Sequence, residues 1–176
     1  MPEEIEVPTE HLHESMEEKA REGGFNLQVA LSSALIAVLA AVCALFAGSF
    51  ANEAMLSQLK ASDQWSFYQA KSIKSSVLGS KIDLLKSLKK PVAKEDLDKA
   101  AQYRKDMDDK KTQAEALAKD SEDLMVRHEL LAKGVTLFQV AIALSAIAAL
   151  TRRKFLWVTG LALSCGGTVF LILGLR

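Results

Sequence analysis

The chain has little of what builds catalytic centres or disulfide-stapled domains. Its 176 residues include two cysteines, three histidines and three prolines. Cys43 and Cys165 lie in separate apolar runs, a spacing that suits neither zinc nor a disulfide framework, so both read as small, polarizable packing residues. There is no glycine-rich phosphate loop, no cysteine–histidine nucleophile arrangement and no constructible pair of pocket carboxylates. Twenty-two basic residues balance 22 acidic ones, so no net charge pulls the chain toward nucleic acid. These features predict no enzyme, no cofactor and no resident metal.

What the chain does have is segregation. Residues 1–24 carry eight glutamates against Lys19 and Arg21, and residues 52–133 carry 16 basic and 14 acidic side chains. Between and after them lie three runs without acid or base, at 25–51, 134–150 and 155–175. A helix crosses the hydrocarbon core with roughly 20 apolar residues. The first and third runs suffice. The second, closed by Thr151, is extended by Leu130, Leu131 and Ala132, with Lys133 reaching the headgroups along its stem. An acidic leader and an apolar stretch well beyond ~15 residues make the first run an anchor rather than a cleaved signal. Small residues recur every fourth position at Ser33, Ala37 and Ala41, at Ala40, Ala44 and Gly48, and at Ala141, Ser145 and Ala149. The third run adds Gly160, Ser164, Gly166, Gly167 and Gly174. This spacing lets helix backbones approach where lipid supplies no hydrophobic drive. Gln139, the most polar side chain deep in a run, reads as an interhelical hydrogen-bonding group.

Short loops rich in Lys and Arg stay in the cytoplasm. Arg152, Arg153 and Lys154, between the second and third runs, are therefore the topology determinants. They place the amino terminus inside, with Lys19 and Arg21, and residues 52–133 outside. Lys60, Arg127, Lys133 and Arg176 flank the spans on the far side, but the 52–133 segment exceeds the ~60 residues over which loop charge controls translocation.

Residues 52–89 and 94–133 lack proline, and Pro91 disfavours helix at Lys90. Lys86, Lys89 and Lys90 suit a helix C-terminus, and Glu95, Asp96 and Asp98 suit an N-terminus. The polar middle is thus expected to be a long antiparallel helical hairpin turning at 90–93, with arms about 57–60 Å long at ~1.5 Å per residue. Folding about position 91 or 92 sets Leu59 against Leu124, Trp65 against Leu117 and Ala118, Val77 against Met107, and Leu84 and Leu85 against Leu97 and Ala101. On the second arm the expected seam is Leu97, Ala101, Arg104, Met107, Lys111, Ala114, Ala118, Ser121, Met125 and His128. So dilute a seam leaves surface for a second copy in a four-helix bundle.

Residues 63–74, DQWSFYQAKSIK, hold the aromatic cluster of this segment. Trp65 lies about 21 Å beyond Ala51 at ~1.5 Å per residue, too far for an interfacial belt. Trp65 and Tyr68 share a face and Phe67 points elsewhere. Residues 8–22 read as an acidic amphipathic helix capped by Thr9 and ended by Gly23-Gly24. Its His13–Glu17 and Glu10–Glu14 spacings are too few ligands for a metal centre, and read as a solvated face.

The start MPEEIEVPTEHLHESMEE, the small-residue first span and the stretch ANEAMLSQLKASDQWSFYQAKSIK (51–74) resemble a bacterial domain-of-unknown-function family, number 4337 in its series, over nearly the whole chain. KASDQWSFYQAKSIK (60–74) is the most specific part. The resemblance implies a bacterial membrane protein of this helical plan, for which the expected site is the inner membrane, and carries over no catalytic residue. It marks Asp63, Gln64, Trp65, Tyr68, Gln69 and Lys71 as the candidate interaction surface. The expected class is therefore an all-α integral membrane protein with three spans, with lipid and either a second copy or another protein as partners. Its expected work is structural or interactive. A signal transducer is the alternative, and a small transporter or pore subunit a third reading.

Overall fold

A computed structural model of the protein describes residues 24–176; the acidic helix expected over 8–22 lies outside the described residues. Among the described residues the chain forms three helices, α1 (Gly24–Ser87), α2 (Lys94–Thr151) and α3 (Lys154–Leu175), and no strand. Each is long and apolar enough, by length and composition, to cross a membrane. Proline is absent from all three, so nothing interrupts the backbone ladder of the 64-residue α1 or the 58-residue α2.

The ends have local causes. Lys90 N–H donates to the Leu85 carbonyl (2.9 Å) and Lys89 N–H to the Lys86 carbonyl (3.0 Å), while Lys89 takes φ 54°. This pair of bonds around a left-handed residue is a Schellman cap. Pro91 then bars continuation, and α2 restarts with Asp96 N–H on the Ala93 carbonyl (3.1 Å) and Glu95 and Asp96 in its first turn, where acids suit the helix dipole. A second left-handed residue, Arg152 (φ 53°), ends α2, and extended Arg153 leads into α3.

The described residues divide into two compact units, one of residues 24–50 with Val126–Arg176 and the other Ala51–Met125. In the first, the buried core is Ile36, Cys43 and Ala47 of α1, Leu131, Phe138, Ala141 and Ile142 of α2, and Leu171 of α3. A smaller cluster gathers Val29, Ala146 and Ala149. Beside it the Phe25 and Trp157 rings meet edge-on at 5.9 Å, and Trp157 Nε1 donates to Ser32 Oγ (3.0 Å). Cys43 Sγ donates to the Leu131 carbonyl (3.2 Å), and His128 Nδ1, facing the acceptor-only Ala47 carbonyl at 2.8 Å, is the donor there.

Helix α3 buries Gly160, Ser164, Gly167, Leu171 and Gly174, a glycine every seventh residue. A Cβ on Gly167 would come within 2.9 Å of the Phe138 ring, one on Gly174 within 2.6 Å of Leu131, and one on Gly160 within 3.0 Å of the Ala141 carbonyl. Of the small-residue stripes, Ala141, Ser145 and Ala149 are buried, but Ala41, Ala44 and Gly48 are exposed. The reason is geometric. Along α1 the buried positions, among them Val29, Ser33, Ile36, Cys43 and Ala47, alternate steps of three and four or their sums, and a stripe with a constant step of four drifts off that face.

Three outcomes are expected. Gly167→Ala is expected to destabilise the protein by about 1–3 kcal/mol through overpacking, read as a lowered Tm. Gly166→Ala, whose Cβ meets only Leu137 at an ordinary 3.4 Å, is expected to leave Tm nearly unchanged. Lys89→Gly, which removes the steric cost of the left-handed residue, is expected to stabilise the turn by about 1 kcal/mol, read as a raised midpoint in denaturant.

Candidate interaction surface

The unit Ala51–Met125 is built from the second part of α1 and the first part of α2. Ser57 Oγ donates to Asp120 (2.7 Å), Lys71 Nζ to Asp106 (2.6 Å) and Lys81 Nζ to Asp96 (2.7 Å), and Lys110 Nζ lies 5.6 Å from the Phe67 ring centre. The two numbers in each pair add to 177, so the segments run antiparallel about a point between Leu88 and Lys89. Ser121 Oγ, donating to the Ala54 carbonyl (2.8 Å), departs from this by two.

This register corrects the expected one by about six residues. The chain reverses at the left-handed Lys89, before Pro91, because the Schellman cap rather than the proline makes the turn. The seam also shifts. On α1 the inward positions are Ala54, Ser57, Ala61, Gln64, Tyr68, Lys71, Ser75, Leu78, Ile82 and Leu85, all buried or half-buried in strict steps of three and four. On α2 they are Asp96, Ala100, Tyr103, Met107, Lys110, Ala114, Leu117, Ser121 and Leu124. Met107, Ala114, Ala118 and Ser121 point inward as expected, whereas Leu97, Ala101, Arg104, Lys111 and Met125 are exposed. The physical reason is that Asp96, Tyr103 and Lys110 have partners across the seam. A paired charge or the body of a long side chain covers surface as well as a leucine does.

Within this frame the six candidate residues divide. Asp63 and Gln69 are exposed, and Gln64, Trp65, Tyr68 and Lys71 are half-buried. The Trp65 and Tyr68 rings meet edge-on at 5.5 Å, a favourable quadrupolar arrangement. Lys71 pairs with Asp106 and also lies 5.1 Å from the Tyr103 ring centre. Gln64 Oε1 is buried without a hydrogen-bond partner. The exposed Phe67 stands off the seam, under Lys110. The other three candidates, Arg152, Arg153 and Lys154, are exposed at the α2–α3 connection.

Sequence reading passed over the groove nearer the turn. Ile73, Lys74, Val77, Leu78 and Lys81 of α1 and Asp96, Lys99 and Tyr103 of α2 line an open groove of about 440 Å³. Its walls are apolar and its rim carries three lysines and one aspartate. The alternation of three and four beginning at Ala54 is the signal that would have located the seam beside it, but not the groove itself. Glu95, at the start of α2, is held below its usual carboxylate range chiefly by a hydrogen bond from Lys99 and then by that cation's charge, and Lys99 is raised in return. A lowered acid stabilises above its ordinary pKa and a raised base below its own, so this exposed pair persists across neutral pH and is lost toward either extreme. Among the described residues no group of three or more His, Cys, Asp or Glu side chains is placed to hold a metal.

Because Gln64 Oε1 is desolvated without compensation, Gln64→Leu is expected to raise the thermal midpoint, by an amount equivalent to about 1 kcal/mol. A lowered midpoint would mean that the amide has a partner such as ordered water.

Residues 25–176 match the family described as Domain of unknown function (DUF4337), and the chain belongs to that family. No curated protein and no solved structure matches it.

Proposed function

We propose that this member of the DUF4337 family is a membrane-anchored interaction module. In this reading α1, the end of α2, and α3 each cross the inner membrane of a bacterium. The polar residues 52–133 form a coiled-coil-like hairpin on the periplasmic side, and the amino terminus is cytoplasmic. The observation that carries it is the partition of side chains. One unit holds membrane-length apolar helices packed on glycine and alanine, and the other is an antiparallel helical pair whose inward positions mix small, charged and large apolar side chains and which leaves further large apolar side chains in the open.

The reading assigns no catalytic residue and no cofactor. Signal transduction, the alternative, draws on the unbroken α1. Transport has less support. Gln139 shares a cavity of about 110 Å³ with Ala37, Ala40, Ala41, Ala44, Val135 and Ile142, and a lone amide among apolar side chains gives a polar solute one ligand.

The test is topological. In a chain with Cys43 and Cys165 replaced, Lys90→Cys is expected to react with a membrane-impermeant maleimide in cells whose outer membrane has been made permeable. Reaction only after the inner membrane is broken would invert the threading.

A further inference from the structure

On α1 the positions two residues past the inward seam form a second face. Leu56, Leu59, Ala70, Ile73, Val77 and Leu84 take six of its ten positions, with Asp63, Ser66, Ser80 and Ser87 at the others, roughly 150° around the helix for 3.5 residues per turn. All six are exposed, Ile73 and Val77 at 66 % each. The equivalent face of α2 runs from Asp98 through Lys105, Asp109 and Lys119 to Asp123, and is charged. The equivalent apolar face therefore belongs to α1.

Charge says what can cover it. Residues 52–90 carry seven lysines against Glu53, Asp63 and Asp83, a net of +4. Residues 94–125 carry ten acids against seven bases, a net of −3. Beside the apolar face of α1 runs a row of cations, Lys60, Lys74 and Lys81, at seven-residue multiples. Pairing α1 with α1 of another copy would set these rows against each other. Pairing it with the acidic segment of another copy opposes unlike charges. That segment offers a flank on which Leu97, Ala101 and Met125 are exposed.

We infer that the exposed apolar flank of α1 in residues 52–90 docks the acidic segment 94–125 of a second copy of this chain. The product is a two-fold four-helix assembly in which basic and acidic helices alternate. In a two-fold dimer the contact occurs twice, so both apolar flanks are covered. The inference rests on the interaction-module reading and names its partner.

The experiment uses the full chain in lipid nanodiscs or mild detergent. With Cys43 and Cys165 replaced, one tagged copy carries Val77→Cys and a differently tagged copy carries Ala101→Cys. Co-expression and mild oxidation are expected to link the two tags, with little product from Val77→Cys alone. In parallel, sedimentation is expected to give a dimer, and Ile73→Glu with Val77→Glu is expected to weaken it at least tenfold while helicity by circular dichroism is kept. A monomer at all concentrations, preferential Val77→Cys self-linkage, or linkage from position 77 to a different protein would overturn the inference. Each of these can occur with the impermeant label still reaching position 90, in which case the anchor reading stands and only the partner is wrong.

Discussion

Close approach of helix backbones, permitted by small side chains at alternating steps of three and four, is the constraint on which the rest of the structure depends. In the unit Ala51–Met125 the most buried seam positions are Ala54, Ala61 and Ala114, each exposed by 1 % or less. In the other unit, Gly160, Gly167 and Gly174 put the α3 backbone against Ala141, Phe138 and Leu131. Alanine and glycine bury little apolar area, so the gain per residue is small at about 25 cal/mol per Å². The contacts gain from length. A seam repeated over many turns accumulates dispersion that no single contact supplies.

A seam whose tightest positions are alanines is weak at choosing its own register there, because one alanine fits much like the next. Here polar contacts choose it. Lys71 with Asp106, Lys81 with Asp96 and Ser57 with Asp120 all belong to the same antiparallel alignment. Each partly exposed ion pair adds only about 0–1 kcal/mol, yet a slipped alignment would lose several at once and leave Lys71 away from the Tyr103 ring. The Schellman cap at Lys89 fixes the same alignment from the turn. Two independent local causes thus agree on one register, and consistency of this kind specifies a fold better than any one strong contact.

Much of this was legible in the sequence. Charge-free runs, absent prolines and dipole-matched ends gave the helical class and the helices long enough to span a membrane. Pro91 placed the break, since residues 88–93 separate the two helices, but not the pairing across it. Proline reports where a helix cannot continue, whereas the left-handed residue that reverses the chain is a lysine, a type with no turn signature. The inward faces were misphased for a related reason. Ranking by apolarity favoured Leu97 and Ala101 over Asp96 and Tyr103, and only a charge supplied by the other helix makes the aspartate the inward choice. At the candidate surface, the likeness of residues 60–74 to the family drew attention to Trp65 and Tyr68, which pack edge-on. The apolar groove at Ile73 and Val77 was hidden because its partner residues Asp96, Lys99 and Tyr103 become neighbours only through the register.

The most direct measurement is therefore of register. In the full-length chain with Cys43 and Cys165 replaced, cysteines at 61 and 114, both inward and one heptad along from the Ser121–Ala54 contact, are expected to form an intramolecular disulfide readily under mild oxidation. Efficient closure between 61 and 122 instead, the pairing that a turn centred near Pro91 would produce, would contradict the account.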